Sequence, residues 1–188
     1  MSHSLTGFET LIAALEDLEI KYLIGGSVAS SMLGRFRATN DVDILAALYS
    51  NRVPAFVRRL ANEFIAFEDD ILLALSAGRS FNLIHRSTTN KFDVFPAMTP
   101  FEREQLKRAR RITISIFGPE VDVPIASPED IVLAKLQWFR LGGETSERQW
   151  SDIRGVIEMQ AGKLDLEYLN KWAQELGVGD LLVPALAS

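Results

Sequence analysis

The sequence lacks cysteine altogether and contains only two histidines, His3 and His85. Disulfides, thiolate metal sites and cysteine nucleophiles are therefore excluded, and two histidines are too few for a multi-histidine zinc site. Long hydrophobic runs are also missing, because stretches such as ILLAL (Ile71 to Leu75) are far too short to span a membrane. The N-terminal MSHSLTGFET has no basic region followed by an apolar one, unlike a signal peptide. We expect a cytoplasmic protein with no membrane segment.

The charge balance is mild, with a formal net charge of −5. It argues against binding to nucleic acid through bulk electrostatics. One local basic segment could still contact RNA, although two glutamates, Glu102 and Glu104, share it and favour a solvated helix face. Its cations are Arg103, Lys107, Arg108, Arg110 and Arg111.

The residue pattern predicts an α/β fold. Thr6 and Glu9 have capping-box spacing before a first helix, and KYLI is typical of a strand that ends at Gly25-Gly26. Ser27 is the expected cap of a second helix that stops near Gly34. DVDILAAL is predicted to form a second strand, and two hairpins are predicted, SFNLIH with KFDVFP and RITISIF with EVDVPIA. Further helices are predicted over Val53 to Phe64, over FEREQLKRA, and three times after Ser127-Pro128, so we divide the chain into 1–126 and 127–188.

Two carboxylates, Asp41 and Asp43, flank Val42 where a strand is predicted to begin. Side chains alternate along a strand, so both point to one face with Cα atoms roughly 6.5 Å apart. Two carboxylates on one face repel unless a positive group lies between them, and Mg²⁺ is a natural partner for their oxygens. The alternative is a solvated strand start or a cap, since aspartate is common in turns.

Asp93, in the strand-like KFDVF, is the best candidate for a third carboxylate. Two metal ions about 3.5–4 Å apart can clamp the attacking and leaving oxygens of a nucleotidyl transfer. A charged group in an apolar strand needs compensation, however, and Asp93 could equally pair with Lys91 or an arginine. Upstream, Gly25-Gly26-Ser27 predicts a tight strand-to-helix turn with backbone N–H groups suited to phosphate.

The stretch GGSVASSMLGRFRATNDVDIL resembles the signature of the DNA polymerase β-like nucleotidyltransferase superfamily, in which Gly-Gly-Ser is followed by Asp-x-Asp. It is most similar to the minimal nucleotidyltransferases of the AbiEii/AbiGii toxin type, whose R-x-T-x-D-x-D pattern is matched by Arg37, Thr39, Asp41 and Asp43. The later SPEDIVLAKL and RQWSDIRGVI resemble the helical half of that group. They place Lys135 and Asp152 at its characteristic positions.

The resemblance implies the nucleotidyltransferase fold, a mixed β-sheet flanked by helices, with 1–126 as the catalytic core and 127–188 as a helical portion packed on it. It implies Mg²⁺, with Mn²⁺ as a substitute, and transfer of an NMP from an NTP to a hydroxyl of RNA, tRNA, a protein or a small molecule. A cognate antitoxin is a further implied partner. The implied metal and catalytic residues are Asp41, Asp43 and Asp93, and the implied NTP-binding residues are Gly25, Gly26, Ser27, Arg37 and Lys135.

Other interpretations stay open. The same fold could serve as a non-catalytic nucleotide-binding module in a complex, and clustered aspartates also occur in metal-dependent phosphohydrolases and nucleases. Lys135 could lie over apolar neighbours instead of contacting phosphate. Asp152 could form a surface ion pair with Arg148 or Arg154. His85, in an apolar strand, is expected to be a hydrogen-bonded core or edge residue.

Overall fold

The computed structural model describes residues 7–35, 41–115 and 119–187. The chain divides into two compact units. The first takes its described residues from 1–24 and 40–125, and the second takes them from 25–39 and 126–188. The described strands belong to the first unit, whereas the regular structure described in the second unit is helical.

The first unit is built on a mixed sheet of seven strands, in the order β3-β4-β5-β2-β1-β7-β6 within the described residues. The neighbours β2 and β5 run parallel, as do β1 and β7, and the other neighbouring strands are antiparallel. The predicted mixed sheet is confirmed. The strands are β1 (Tyr22–Ile24), β2 (Val42–Ala46), β3 (Phe64–Ile65), β4 (Phe81–His85), β5 (Lys91–Pro96), β6 (Arg110–Ile114) and β7 (Val121–Ile125).

Helices surround this sheet in the first unit and make up the second. Those of the first unit are α1, α3, α4 and α5, and those of the second are α2 and α6 to α9. Their bounds are α1 (Phe8–Asp17), α2 (Gly26–Leu33), α3 (Val53–Leu60), α4 (Glu68–Ser76), α5 (Pro100–Arg108), α6 (Pro128–Leu141), α7 (Glu147–Met159), α8 (Leu166–Glu175) and α9 (Gly179–Leu186).

An aromatic cluster covers one face of the sheet in the first unit. Phe8 of α1 stacks on Phe92 of β5 with ring centroids 6.5 Å apart, and Phe64 meets Phe92 edge-on at 5.7 Å. The ring of His85 joins them, buried and hydrogen-bonded through Nδ1 to Thr88 at 2.8 Å, as expected of a core histidine. Because side chains alternate along β5, the neighbours of Phe92 point to the opposite face.

Within the second unit, α2 packs closely against α7. A Cβ on Gly34 would lie 2.9 Å from the backbone nitrogen of Val156, so only glycine allows this approach. Around it, Gln160 Nε2 donates a hydrogen bond to the Leu33 carbonyl at 2.9 Å. Gly34 therefore ends α2, as predicted, and also serves its packing.

The predicted helix starts agree with the structure in part. Ser127 caps α6 by accepting a hydrogen bond from the backbone nitrogen of Asp130, as predicted. The predicted cap at Ser27 is wrong, because Gly25 takes the cap position and Ser27 lies inside the first turn of α2. Gly7 takes the cap position of α1 with a φ of 97°, and Thr6 lies outside the described residues.

Among the described strands and α-helices, three were not predicted from the sequence. The strand β3 has only two residues, and the predicted helix ends at Leu60 because Phe64 joins the sheet. The helix α4 carries the ILLAL run, which is too short to show a helical period. The helix α9 contains Pro184, a residue that argues against a helix from sequence alone.

No helix among the described residues combines the length and the apolar character needed to cross a membrane. The predicted cytoplasmic location stays a prediction.

We expect Gly7→Ala to destabilise the protein by about 2–4 kcal/mol. An alanine at position 7 would have to adopt the left-handed backbone conformation of Gly7. Its Cβ would also lie 2.7 Å from Cδ2 of His85. Gly78→Ala is the matched control, because Gly78 has a φ of +60° but a Cβ there would meet nothing within 4 Å. Urea unfolding should show a loss of only about 1 kcal/mol for Gly78→Ala. Equal losses in the two variants would contradict the steric argument.

Candidate active site

Asp43 on β2 and Asp93 on β5 are direct neighbours in the sheet. The parallel register pairs Val42 with Phe92 and Ile44 with Val94, which brings Asp43 level with Asp93. Neighbouring strands lie about 4.8 Å apart, and register partners share a face of the sheet. Two carboxylates thus lie side by side on the face opposite the aromatic cluster. Their catalytic role stays a prediction.

The charge of Asp93 is compensated within its own strand. Lys91 lies two residues earlier on the same face, with its Nζ 3.1 Å from Oδ1 of Asp93. The Lys91 side chain is 46% exposed and that of Asp93 only 18%. The salt bridge weighed as an alternative for Asp93 is therefore present in the structure.

The carboxylate oxygens of Asp43 and Asp93 are suitable ligands for Mg²⁺. Mg²⁺ is commonly bound by one or two carboxylates, with water and substrate phosphates completing the shell, and Asp43 with Asp93 supplies such a pair. Asp41 lies one residue before β2 in an exposed position. Within residues 7–35, 41–115 and 119–187, no three acidic or histidine side chains are grouped so that they could hold a metal ion. The fit is therefore to a site of two carboxylates, while the predicted three-carboxylate site stays a prediction.

Asn82 lies next to this carboxylate pair and forms a polar row with it, although the sequence pattern did not point to Asn82. The antiparallel register of β4 with β5 pairs Asn82 with Asp93, so that Asp43, Asp93 and Asn82 follow one another across three adjacent strands. The side chain of Asn82 is exposed and offers both a hydrogen-bond acceptor and donors. Only the register reveals this neighbour, because the hairpin loop separates it from Asp93 in the sequence.

In the second unit, Gly25, Gly26 and Ser27 form the turn that opens α2. Gly26 has a φ of 53°, a conformation that favours glycine. Ser30 Oγ donates a hydrogen bond to the carbonyl of Ser27 at 3.1 Å and so steadies the first turn. The N-terminus of a helix attracts anions through its backbone N–H groups and dipole, so this turn suits a phosphate. Phosphate binding at Gly25, Gly26 and Ser27 stays a prediction.

Lys135 of α6 and Asp152 of α7 form an ion pair inside the second unit. Nζ of Lys135 lies 2.9 Å from Oδ2 of Asp152, and the two side chains are 10% and 12% exposed. The alternative considered for Asp152 was a surface ion pair, whereas its carboxylate is largely buried and pairs with Lys135. The role of Lys135 toward NTP stays a prediction. Arg37 and Thr39 lie outside the described residues.

Several cations of the basic segment have acidic partners. Arg111 lies 2.6 Å from Asp122 and 3.0 Å from Glu16, contacts that raise its pKa above the ordinary value. Lys107 lies 2.9 Å from Glu104. These pairs favour a solvated, ion-paired surface over an RNA-binding one.

Solved structures of nucleotidyltransferases share this architecture. An antigenic nucleotidyltransferase-like protein from Paracoccidioides brasiliensis matches with a TM-score of 0.50 and 23% identity, over 95% of this chain and 90% of its own. ANT(2'')-Ia in complex with adenylyl-2''-tobramycin matches with a TM-score of 0.52 and 15% identity, over 92% of this chain and 95% of its own. A solution structure of the antibiotic-resistance factor ANT(2'')-Ia gives a TM-score of 0.50 and 14% identity, over 95% of this chain and 94% of its own. No family model and no curated protein matches the sequence.

The chain has the nucleotidyltransferase fold. This confirms the fold expected from the Gly-Gly-Ser and Asp-x-Asp motifs. At these levels of identity the likeness is one of fold, and the chemistry depends on the residues that the fold brings together.

We expect Lys135→Met to destabilise the protein by about 2–4 kcal/mol, because removal of one partner from a largely buried ion pair leaves the other charge poorly compensated. Lys135→Met/Asp152→Leu should recover at least half of the loss, since both charges are then absent. Lys163→Met, at an exposed lysine of the same unit, is the control. Urea unfolding measures all three. Wild-type stability of Lys135→Met would show that the pair has no structural role.

Proposed function

We propose that this protein is a Mg²⁺-dependent nucleotidyltransferase that moves an NMP from an NTP to a hydroxyl group. One observation carries the proposal: Asp43 and Asp93 lie in register on the parallel strands β2 and β5 of a nucleotidyltransferase fold. Asp41 lies one residue before β2, and its spacing from Asp43 would put it on the same face if the extended backbone continued to it. The fold gives the general class, and the strand register shows which two carboxylates lie side by side.

In this proposal the three aspartates have different roles. Asp41 and Asp43 hold the metal, and Asp93 joins them and accepts a proton. Bound Mg²⁺ supplies charge neutralisation and a template for the triphosphate. The proposed NTP-binding residues are Gly25, Gly26, Ser27, Arg37 and Lys135.

The reaction asks little covalent chemistry of the protein. The acceptor oxygen forms a bond to the α-phosphorus while the bond to pyrophosphate breaks, and the hydroxyl proton passes to the carboxylate of Asp93. Positioning supplies most of the rate in such transfers. Asp93 is well placed for it, because β5 is hydrogen-bonded on both sides, to β2 and to β4.

We propose that the acceptor molecule binds beside Asn82, at the edge of the polar row. Asn82 lies on the side of Asp93 away from β2, where its amide could hydrogen-bond an incoming hydroxyl compound. ANT(2'')-Ia was solved in complex with adenylyl-2''-tobramycin, a small molecule that carries an adenylyl group. We therefore place ATP first among donors, and small molecules beside RNA, tRNA and protein among acceptors.

We further propose that the protein is a nucleotidyltransferase of the AbiEii/AbiGii toxin type. The support for this subgroup is the motif formed by Arg37, Thr39, Asp41 and Asp43. On that motif we also propose a cognate antitoxin as a protein partner.

A second candidate is a non-catalytic nucleotide-binding module of the same fold acting in a complex. The ion pair between Lys91 and Asp93 favours it, because Lys91 then occupies one carboxylate oxygen of Asp93. Nucleotide binding without transfer distinguishes this candidate from the enzyme.

We expect the wild-type protein to transfer label from an α-labelled NTP, with Mg²⁺ or Mn²⁺, to a component of total RNA, a cell extract or a small-molecule hydroxyl library. Asp43→Asn should reduce transfer by at least about a hundredfold, because it removes a charge that acts on the transition state through the metal. Asp69→Asn, at an exposed aspartate of α4, is the matched control and should transfer normally.

Metal-dependent NTP binding without transfer would favour the binding module. A wild-type protein that binds no NTP would contradict both candidates.

A further inference from the structure

The ion pair of Lys91 with Asp93 occupies part of the proposed active site. Nζ of Lys91 lies 3.1 Å from Oδ1 of Asp93, and the carboxylate of Asp93 is in register with that of Asp43. A lysine ammonium at this distance competes for the same oxygen that a divalent cation would use. It also repels a cation bound nearby, because both are positive.

Lysine suits a contact that has to be released. Its ammonium is a single point charge on a flexible stem, whereas an arginine would hold the carboxylate through a rigid fork. The Lys91 side chain is 46% exposed, and an ion pair with so much solvent contact is weak enough to be displaced. A metal and a triphosphate together could thus displace Lys91 from Asp93 and draw it toward phosphate oxygens.

We propose that Lys91 is an internal counter-ion that withholds Asp93 from metal until a nucleotide is bound. The inference rests on the proposed function, since it concerns the same site. In the nucleotide-free protein Asp93 is held by Lys91, and metal binding then depends on Asp41 and Asp43. The negative charge of the triphosphate attracts Lys91, frees Asp93 and completes the site. Lys91 acts through Asp93 and is therefore a positioning residue.

Binding of Mn²⁺ to the nucleotide-free protein tests the proposal. Free Mn²⁺ is measured by electron paramagnetic resonance at fixed ionic strength for the wild type and for Lys91→Met. We expect Lys91→Met to bind Mn²⁺ about three- to fivefold more tightly, the range that loss of an exposed charge pair allows. Lys91→Arg keeps the positive charge and should bind Mn²⁺ no more tightly than the wild type.

Two further variants locate the effect. Lys107→Met loses the same charge and an ion pair of similar kind with Glu104, outside the site, and should bind Mn²⁺ as the wild type does. Lys91→Met/Asp93→Asn should lose the gain, because the released carboxylate is then absent. Unchanged affinity in Lys91→Met, an equal gain in Lys107→Met, or a gain that survives Asp93→Asn would each overturn the proposal.

The test is separable from that of the proposed function. Mn²⁺ binding is read without nucleotide or transfer, so a protein that moves no label can still show the gain. If the wild type transfers label but Lys91→Met binds Mn²⁺ no more tightly than the wild type, the proposed function stands and the proposal for Lys91 is wrong.

Discussion

The parallel register of β2 with β5 is the constraint on which the candidate site depends. It sets Asp43 beside Asp93 and at the same time places Val42 and Phe92 on the aromatic face, where Phe8 and Phe64 pack. A slip of one residue would exchange the two faces, burying carboxylates among aromatic rings and exposing Phe92 to water. The hydrophobic core and the candidate site therefore enforce the same register.

Charge compensation is the second recurring feature. Two acidic groups that are partly shielded from water are paired with lysines, Asp93 with Lys91 in the first unit and Asp152 with Lys135 in the second. The two pairs differ in exposure, and this difference suggests different roles. The largely buried pair suits a structural role, because separating it would cost much free energy. The more exposed pair is one that a metal and a nucleotide can rearrange.

Much of the fold could be predicted because its signals are local. The two hairpins follow from alternating strands around polar turns, and the Ser127-Pro128 start of α6 follows from cap chemistry. The failures have equally local causes. The short α4 shows no clear helical period, and Pro184 argues against a helix where α9 lies. Serine is a preferred N-cap residue, but Gly25 and not Ser27 occupies the cap position of α2. In each case the local residue pattern was ambiguous or favoured a different structure.

The sequence by itself determined which chemistry is present and which side chains share a strand face. Lys91 and Asp93 share a face because side chains alternate along β5, and Gly26 permits its turn because glycine tolerates a positive φ. Only the tertiary structure decided which residues meet. Asn82 beside Asp93 and Lys135 against Asp152 depend on strand register and on helix packing. These contacts join residues of different strands or helices, and the residue pattern within a single element does not specify them.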